Sequence, residues 1–295
     1  MRVASRLAIL GALLVATTGR ADASPRPGRP FRDCAACPLM ATVPAGTFLM
    51  GAAPGEKDAS EDESPRHRVR IRKPFAVGIY EVTVAQYRRF VTETHPPEGA
   101  GCQVVRDDHW VVVAELTWRS PGFTQDEGAP VVCVDWNDAQ RFVAWLGLKS
   151  GKPFRLLSEA EWEYLATDPH APPLSHDIAN YGGETSGHGR IEGKDRWEST
   201  SPAGSFAPNR FGVYDLLGNA WEWLADCYHG SYDGAPEDGS AWNKKCVDPA
   251  RRVVRGGSYG DPAVLLRPQY RLRAPADGRY ATLGFRIARD LARSR

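Results

Sequence analysis

The chain has no excess of charge of either sign and no apolar run long enough to cross a bilayer. Its 295 residues contain 37 lysines and arginines against 36 aspartates and glutamates. Such a balance argues against nucleic acid or an anionic membrane as the main partner. The mostly apolar run near the start, residues 7–19, is shorter than the roughly 20 residues that a membrane-spanning helix needs. We therefore expect no membrane span in the mature protein.

The short apolar run is instead typical of an export signal. Arg2 and Arg6 precede it, and Ala21-Asp22-Ala23 supplies the small-x-small pattern that signal peptidases accept. We predict a signal peptide over residues 1–23 and a periplasmic or secreted protein. Removal of this signal peptide would leave 34 basic and 35 acidic residues, a formal net charge of about −1.

Residues 24–37 are rich in proline and arginine, and we expect a linker or N-terminal arm there. One large domain is predicted over residues 38–292. The sequence alone leaves its oligomeric state open.

The cysteines are few and even in number, and none follows position 246. An even count in an exported chain favours disulfides, although six cysteines permit 15 pairings. Proximity along the chain favours Cys34–Cys37, Cys102–Cys133 and Cys227–Cys246. A CxxC pair can also form a redox couple or half of a zinc site, but no second CxxC or histidine pair accompanies the one at residues 34–37.

The secondary-structure signals are short and scattered, as expected from 29 glycines and 23 prolines. Alternating or β-branched stretches predict strands at residues 40–50, 67–77, 252–255 and 283–288. Capping signals predict three helices, which begin at Thr83, Asn137 and Ser158, with Gly151 ending the second. The aromatic stripes of these helices are typical of core packing. Together these signals predict an irregular α+β fold.

Residues 168–212 show no sustained periodicity. About 45 residues without clear elements are unusual inside a compact domain and point to either disorder or a loop held by a ligand. The asparagine, aspartate and glycine content of this region favours a test for a bound metal.

Three segments carry a resemblance to a known family: FRLLSEAEWEY at 154–164, GVYDLLGNAWEW at 212–223, and RGGSY at 255–259 followed by LGFR at 283–286. In order and spacing they resemble the formylglycine-generating enzyme, or sulfatase-modifying factor, family over about residues 39–290. The resemblance implies an irregular α+β fold related to C-type lectins.

The resemblance also implies two structural calcium ions. The positions that match the family's first ion are Asn180, Tyr181, Asp195 and Trp197. Those that match the second are Asp215, Gly218, Ala220 and Glu222. Calcium takes six to eight oxygens from carboxylates and carbonyls, which turn-rich backbone of this kind supplies. The alternative for the second set is that Asp215 and Glu222 merely cap and hydrate a turn.

The sequence departs from the family where the family's chemistry takes place. Members that make formylglycine bind copper(I) with two cysteines after the Gly-Gly-Ser motif, and the matching positions here are Asp261 and, nearby, Leu266. Thiolates suit copper(I), whereas a carboxylate is a hard donor and leucine donates nothing. The usual copper site is therefore not expected, and any redox metal stays unassigned. The seven histidines contain no HxxxH pair that could replace it.

Polar residues occupy the segment that matches the family's active-site groove. We consider Ser258, Asp261, Tyr270 and Arg271 as catalytic candidates, with Arg267 and Arg273 adding positive charge suited to a carboxylate or phosphate. A solvated surface with a few ion pairs is the alternative.

Two functions remain open for a peptide, protein or small-molecule ligand. One is a divergent oxidase or tailoring enzyme, similar to the family branch that matures secreted metabolites such as pyoverdine. The other is a non-catalytic, calcium-stabilised, lectin-like binding module, because a fold alone does not fix a function.

Overall fold

The computed structural model describes residues 29–99, 101–107, 109–183, 188–246, 248 and 250–291. The predicted signal peptide and the first part of the N-terminal arm lie outside these residues. The described part contains three α-helices: α1 (Val84–Thr94), α2 (Trp136–Ser150) and α3 (Glu159–Ala166).

The strands are short and outnumber the helices. In chain order they are β1 (Met40–Val43), β2 (Gly46–Met50), β3 (His67–Ile71), β4 (Phe75–Gly78), β5 (Cys102–Arg106), β6 (His109–Val113), β7 (Phe154–Leu156), β8 (Trp221–Cys227), β9 (Arg251–Arg255), β10 (Leu272–Pro275), β11 (Leu283–Phe285) and β12 (Ile287–Asp290). The predicted irregular α+β class is confirmed.

Two four-stranded sheets organise the molecule, in the orders β1-β4-β12-β7 and β10-β9-β8-β11. The first sheet is antiparallel throughout. In the second, β11 runs parallel to β8, and Leu283 faces Trp221. The pairs β2-β3 and β5-β6 form separate hairpin ladders. Strands from the end of the chain therefore complete both main sheets.

Two predicted strands each divide into two. Residues 40–50 form β1 and β2, and residues 67–77 lie within β3 and β4. Pro44 and Pro74 stand in the two gaps. Proline has no N–H to donate to a ladder, so the chain leaves one sheet there and enters another. The strand predicted over residues 283–288 divides in the same way, into β11 and β12.

The helix starts follow the predicted caps closely. Thr83 and Ser158 cap α1 and α3, each with a reciprocal capping box. The second helix is capped by Asp135 instead of Asn137, because Asp135 and Asp138 bond each other's backbone N–H groups. Gly151 ends α2 with a positive φ of 68°.

The helices bury their aromatic faces in two clusters, as predicted. Tyr87 and Phe90 of α1 pack with Phe142 of α2 and with Phe285. Trp162 of α3 belongs to the second cluster. These aromatic residues therefore supply core packing.

All six cysteines are paired, and the three pairings favoured by chain proximity are confirmed. Within the described residues, no helix is both long and apolar enough to pass through a membrane. The described parts of residues 168–212 contain no helix or strand beyond an isolated bridge between Gly182 and Gly189.

Candidate functional site

A sharp turn after β9 positions the catalytic candidates Ser258 and Asp261. Gly256 and Gly257 have φ values of 109° and 74°, a region that side chains rarely adopt. A Cβ on Gly256 would lie 2.9 Å from the carbonyl oxygen of Leu216, so the turn also depends on close backbone contact. The two glycines of the motif therefore allow the chain to reverse into the site.

The carboxylate of Asp261 is held by three donors on one oxygen. Its Oδ2 accepts hydrogen bonds from Trp221 Nε1 at 2.7 Å, from the backbone N of Ser258 at 2.9 Å and from Ser258 Oγ. No hydrogen bond from a described residue reaches Oδ1. Asp261 thus has one fixed oxygen and one that is free to accept a proton.

Burial changes the acidity of this carboxyl. Asp261 is about nine-tenths buried, and desolvation raises its pKa, while the bonds from Ser258 and Trp221 oppose the rise. A raised pKa brings a carboxylate closer to the range of a useful general base.

Tyr270 lies beside the same group. Its ring is 6.0 Å from that of Trp221, and desolvation and the charge of Asp261 raise its pKa. The structure therefore brings Ser258, Asp261 and Tyr270 together around Trp221. Trp221 belongs to the GNAWEW segment, but no local sequence pattern indicated its contact with Asp261.

Arg271 lies in a different environment and shares no hydrogen-bond partner with Asp261. Its guanidinium is buried and forms two bonds to Glu159, at 2.7 and 2.9 Å. It also donates to the backbone carbonyls of Asp62 and His229 and packs over Tyr232. These contacts tie the chain just before β10 to α3 and leave the guanidinium occupied.

The two positions that match the family's copper ligands do not fit copper. Asp261 presents a carboxylate oxygen, a hard donor that already accepts three hydrogen bonds. Leu266 is 1% exposed and has no side-chain atom that could bind a metal. All six cysteines are in disulfides. The chain therefore offers copper(I) no thiolate.

The first set of calcium positions converges in the irregular region. Asp195 is fully buried, its Oδ1 accepts from the backbone N of Trp197 at 3.2 Å, and its Oδ2 lies 3.3 Å from His176 Nδ1. Desolvation raises the pKa of Asp195, and hydrogen bonds from Trp197 and Tyr181 are among the contacts that oppose the rise. The Oδ1 of Asn180 is buried and has no partner among the described residues. The unpartnered amide oxygen of Asn180 and the buried carboxylate of Asp195, which is bonded by the backbone of the neighbouring Tyr181, are oxygen donors of the kind that calcium takes.

The second set of calcium positions surrounds a buried ion pair. Glu222 Oε1 accepts two bonds from Arg286, at 3.0 and 2.7 Å, and its Oε2 accepts from Trp162. Asp215 accepts from the backbone N of Gly204 at 2.6 Å, and desolvation raises its pKa to about 6. The positions Gly218 and Ala220 lie in the turn between these two acids.

Sequence reasoning missed Glu81, a buried acid that lies near Asp215 and Glu222. Glu81 is 1% exposed, and its Oε1 is buried without a partner among the described residues. Desolvation, followed by the charge of Asp215, raises its pKa well above the usual value. The available signal was a single acid inside the otherwise apolar run from residue 75 to 84.

The described residues contain no group of three or more His, Cys, Asp or Glu side chains able to hold a metal. Both calcium sets differ from such a group, because they mix carboxylates with amide or carbonyl oxygens. The unpartnered oxygens of Asn180 and Glu81 are the structural support for a cation.

A cleft of about 250 Å³ has Trp221 among its lining residues. It is formed by the second sheet and the β5-β6 hairpin, and Trp110, Trp221 and Tyr280 contribute aromatic rings to it. The indole of Trp221 therefore touches both the cleft and Asp261.

Comparison with known proteins gives consistent results. A model of the family described as "Sulfatase-modifying factor enzyme 1-like domain" matches residues 27–291. A formylglycine-generating enzyme of Streptomyces coelicolor is 31% identical, over 84% of this chain and 88% of that protein. The "Inactive C-alpha-formylglycine-generating enzyme 2" of Mus musculus is 30% identical, over 87% of each chain. The solved structure of PvdO from Pseudomonas aeruginosa is 37% identical, with a TM-score of 0.76, and the match covers 91% of this chain and 100% of that one.

Proposed function

Since the chain belongs to the sulfatase-modifying factor enzyme 1-like family but has a carboxylate in place of a copper-binding thiolate, we propose that it is an exported tailoring oxidase. Its substrate is a secreted peptide or small metabolite. The observation that carries the proposal is Asp261, a buried carboxylate with one oxygen fixed and the other free, whose donor Trp221 also lines an aromatic cleft.

In this proposal Asp261 acts as the general base. Its free Oδ1 removes a proton from the bound substrate, while Trp221 and Ser258 hold Oδ2 in place. The oxidation takes two electrons and two protons from the substrate and passes them to dioxygen, which becomes hydrogen peroxide. Tyr270 lies beside the reacting group and orients the substrate. No step involves copper.

Calcium has a structural role in this proposal. Asn180 and Asp195, with backbone oxygens of Tyr181 and Trp197, would hold one ion. Asp215 and Glu222, with the turn at Gly218 and Ala220, would hold the second. At the first site, a bound cation would neutralise the buried carboxylate of Asp195 in a region that has almost no regular secondary structure.

Export is supported by the sequence of residues 1–23 and by the three disulfides, which persist in oxidising compartments. A substrate that is itself secreted therefore fits the compartment.

The test is oxygen uptake by the purified mature protein with candidate peptides and aromatic metabolites. We expect uptake with matching peroxide release, reduced at least about 100-fold in Asp261→Asn, since a general base contributes roughly 10²–10⁴ in rate. Asp277→Asn, which changes an exposed acid, is the matched control and should leave turnover unchanged. Full turnover in Asp261→Asn would overturn the role of this carboxylate.

A binding module is the second candidate. The mouse relative whose name calls it inactive has a similar overall sequence, and a calcium-stiffened core beside a cleft suits ligand binding without chemistry. Saturable binding with no oxygen uptake by any ligand would favour this function over the oxidase.

A further inference from the structure

The β5-β6 hairpin has one long side that pairs with no strand of the described residues. We propose that this outer edge of β6 binds an extended peptide as an added strand, and that the peptide has aliphatic residues at its centre and basic residues near its ends. The inference goes beyond the proposed function, because it does not depend on Asp261 or on any oxidation.

The ladder of the hairpin determines which backbone groups point outward. In an antiparallel pair, facing residues that do not exchange hydrogen bonds point their N–H and C=O groups to opposite outer sides. Gln103 of β5 faces Val112 of β6, and its backbone bonds Arg279 and Ala281 on the outer side of β5, at 2.7 and 2.9 Å. The N–H and C=O of Val112 therefore point to the outer side of β6. Trp110, two residues away, has the same orientation.

These outward groups are unpaired. In the described part of the chain, no residue forms a backbone hydrogen bond with Trp110 or Val112 on that side. Free N–H and C=O groups along a strand edge are a template for another strand, and proteins usually protect such edges with charges or proline. The stretch from Trp110 to Val113 contains neither. The edge is therefore suited to main-chain recognition of an extended peptide.

The hairpin face that carries Trp110 and Val112 adds apolar contact. Their side chains are 49% and 70% exposed, and Val105 lies on the same face, because it is opposite Trp110 in the ladder. The other face is buried at Cys102, whose disulfide with Cys133 joins the hairpin to the core. A strand added to β6 would set alternate side chains next to Trp110 and Val112, where β-branched residues pack well.

Two acids near the ends of this edge indicate the charge of the partner. Asp107 precedes β6 and Glu115 follows it, and both are exposed without an ion pair to a described residue. Lysine or arginine near both ends of a peptide would complement them. A second copy of this chain fits less well. Antiparallel pairing of two β6 edges about Val111 would set Asp107 of one copy opposite Glu115 of the other, and like charges in that position are destabilising.

Fluorescence polarisation with a fluorescein-labelled, amidated peptide of sequence KTTVTVTTK tests the proposal on the purified mature protein. Its two valines can lie opposite Val112 and Trp110, with the lysines near Glu115 and Asp107. We expect saturable binding. Methylation of the backbone nitrogens of both valines should weaken it at least about tenfold, because these N–H groups face β6. The matched control is methylation of the central threonine nitrogen, whose N–H points away from β6, and it should weaken binding less than about threefold.

Variants of the edge test the same contacts from the protein side. Val112→Pro removes an outward N–H, and proline is tolerated on edge strands where the N–H faces solvent, so the fold should remain. This variant should weaken the peptide at least about tenfold, whereas Val112→Thr keeps the N–H and should weaken it less than about threefold.

The acids are tested together. Asp107→Asn combined with Glu115→Gln should weaken the peptide about three- to tenfold at low salt and less at high salt. Glu237→Gln changes an exposed acid outside the hairpin and should have no effect.

The two methylated peptides give the decisive comparison. Equal affinity of these peptides for the wild-type protein, unchanged binding by Val112→Pro, or the absence of saturable binding would overturn the proposal. A dimer in sedimentation that takes no peptide and that Val112→Pro dissociates would also overturn it, because the occupant would then be a second copy. Asp261→Asn should bind the peptide as the wild type does, so failure of the edge and failure of the oxidase are distinguishable.

Discussion

A single position determines what chemistry this chain can offer. Where the family's copper site has a thiolate, Asp261 supplies an oxygen held by Trp221 and Ser258. The same turn, built on Gly256 and Gly257, could present either side chain. The backbone geometry of the site is thus compatible with the family, while the reactive atom differs.

At the residue scale, contacts of the site differ in whether the local sequence could indicate them. Ser258 and Asp261 are three residues apart in one turn, so their contact follows from local sequence once the motif is identified. The partner of Arg271 is Glu159, 112 residues away, and no local pattern points to it. Glu81 was missed for a similar reason, because its neighbours Asp215 and Glu222 come from a distant segment.

One buried acid should make stability fall as the pH rises. Asp226 is 3% exposed, and desolvation, followed by the charge of Glu159, raises its pKa to about 7. The contribution of protonated Asp226 to stability is fully present below its unfolded-state pKa of about 3.8. This contribution is lost as the pH rises through its folded-state pKa of about 7. An asparagine at this position would not titrate, so the variant should escape this loss. Between pH 4 and pH 8, we expect the free energy of unfolding of Asp226→Asn to rise relative to that of wild type by on the order of 4 kcal/mol.

Urea unfolding at several pH values measures this gain. The partly exposed Asp238, whose pKa is lowered by hydrogen bonds from Ser240, provides the control, and Asp238→Asn should show no such gain. Parallel stability curves for wild type and Asp226→Asn would contradict the assignment of the loss to Asp226.

Among the elements, α3 connects several separate segments. Glu163 of this helix accepts from the backbone N of Gly51 at 2.7 Å and pairs with the buried Arg255 of β9. Glu159 of the same helix holds Arg271, which immediately precedes β10. A helix of eight residues thus joins two strand ladders through buried charges.

We expect Glu163→Gln to lower the free energy of unfolding by about 3–5 kcal/mol, because it leaves the buried guanidinium of Arg255 without its closest carboxylate. Chemical denaturation gives the value. Arg88→Gln removes an ion pair with Glu127 whose side chains are both more than half exposed, and it should change stability by less than about 1 kcal/mol. Similar effects of the two substitutions would show that burial of the pair is unimportant.

Short-range signals located the helices but not all of the strands. The capping boxes at Thr83 and Ser158 involve residues three positions apart and could be read directly. The cap of α2 lies two residues earlier than predicted, because Asp135 and Asn137 are both good caps. The strand β8 was missed, since it is buried on both sides of its pleat and lacks alternation.

At the scale of the molecule, the chain order gives little indication of the sheet order. The strands β11 and β12 are separated by one residue, yet they enter different sheets. The pairing depends on contacts with segments about 60 to 210 residues earlier, which local periodicity does not encode. The family resemblance predicted the fold class without the order of the strands, and the family match over residues 27–291 agrees with that class.

The disulfides and the proposed calcium sites stabilise different parts of the molecule. The disulfide Cys227–Cys246 closes the loop after β8, and Cys102–Cys133 anchors the β5-β6 hairpin. Neither reaches the irregular region around Asn180 and Asp195. That region therefore depends on side-chain contacts and, in our proposal, on calcium.

Calcium removal should destabilise the mature protein measurably. If calcium binds the folded state alone, a free concentration 100 times the dissociation constant adds about 2.7 kcal/mol per site, and EGTA should remove this contribution and lower the melting temperature. Asn180→Ala should lose one equivalent of calcium in metal analysis and part of the EGTA effect, because it removes the unpartnered Oδ1. Asp177→Asn, which changes an exposed acid of the same region, is the matched control and should retain both ions. A protein purified without calcium, whose melting temperature does not respond to calcium or EGTA, would contradict the proposal, and the buried oxygens of Asn180 and Glu81 would then require bound water.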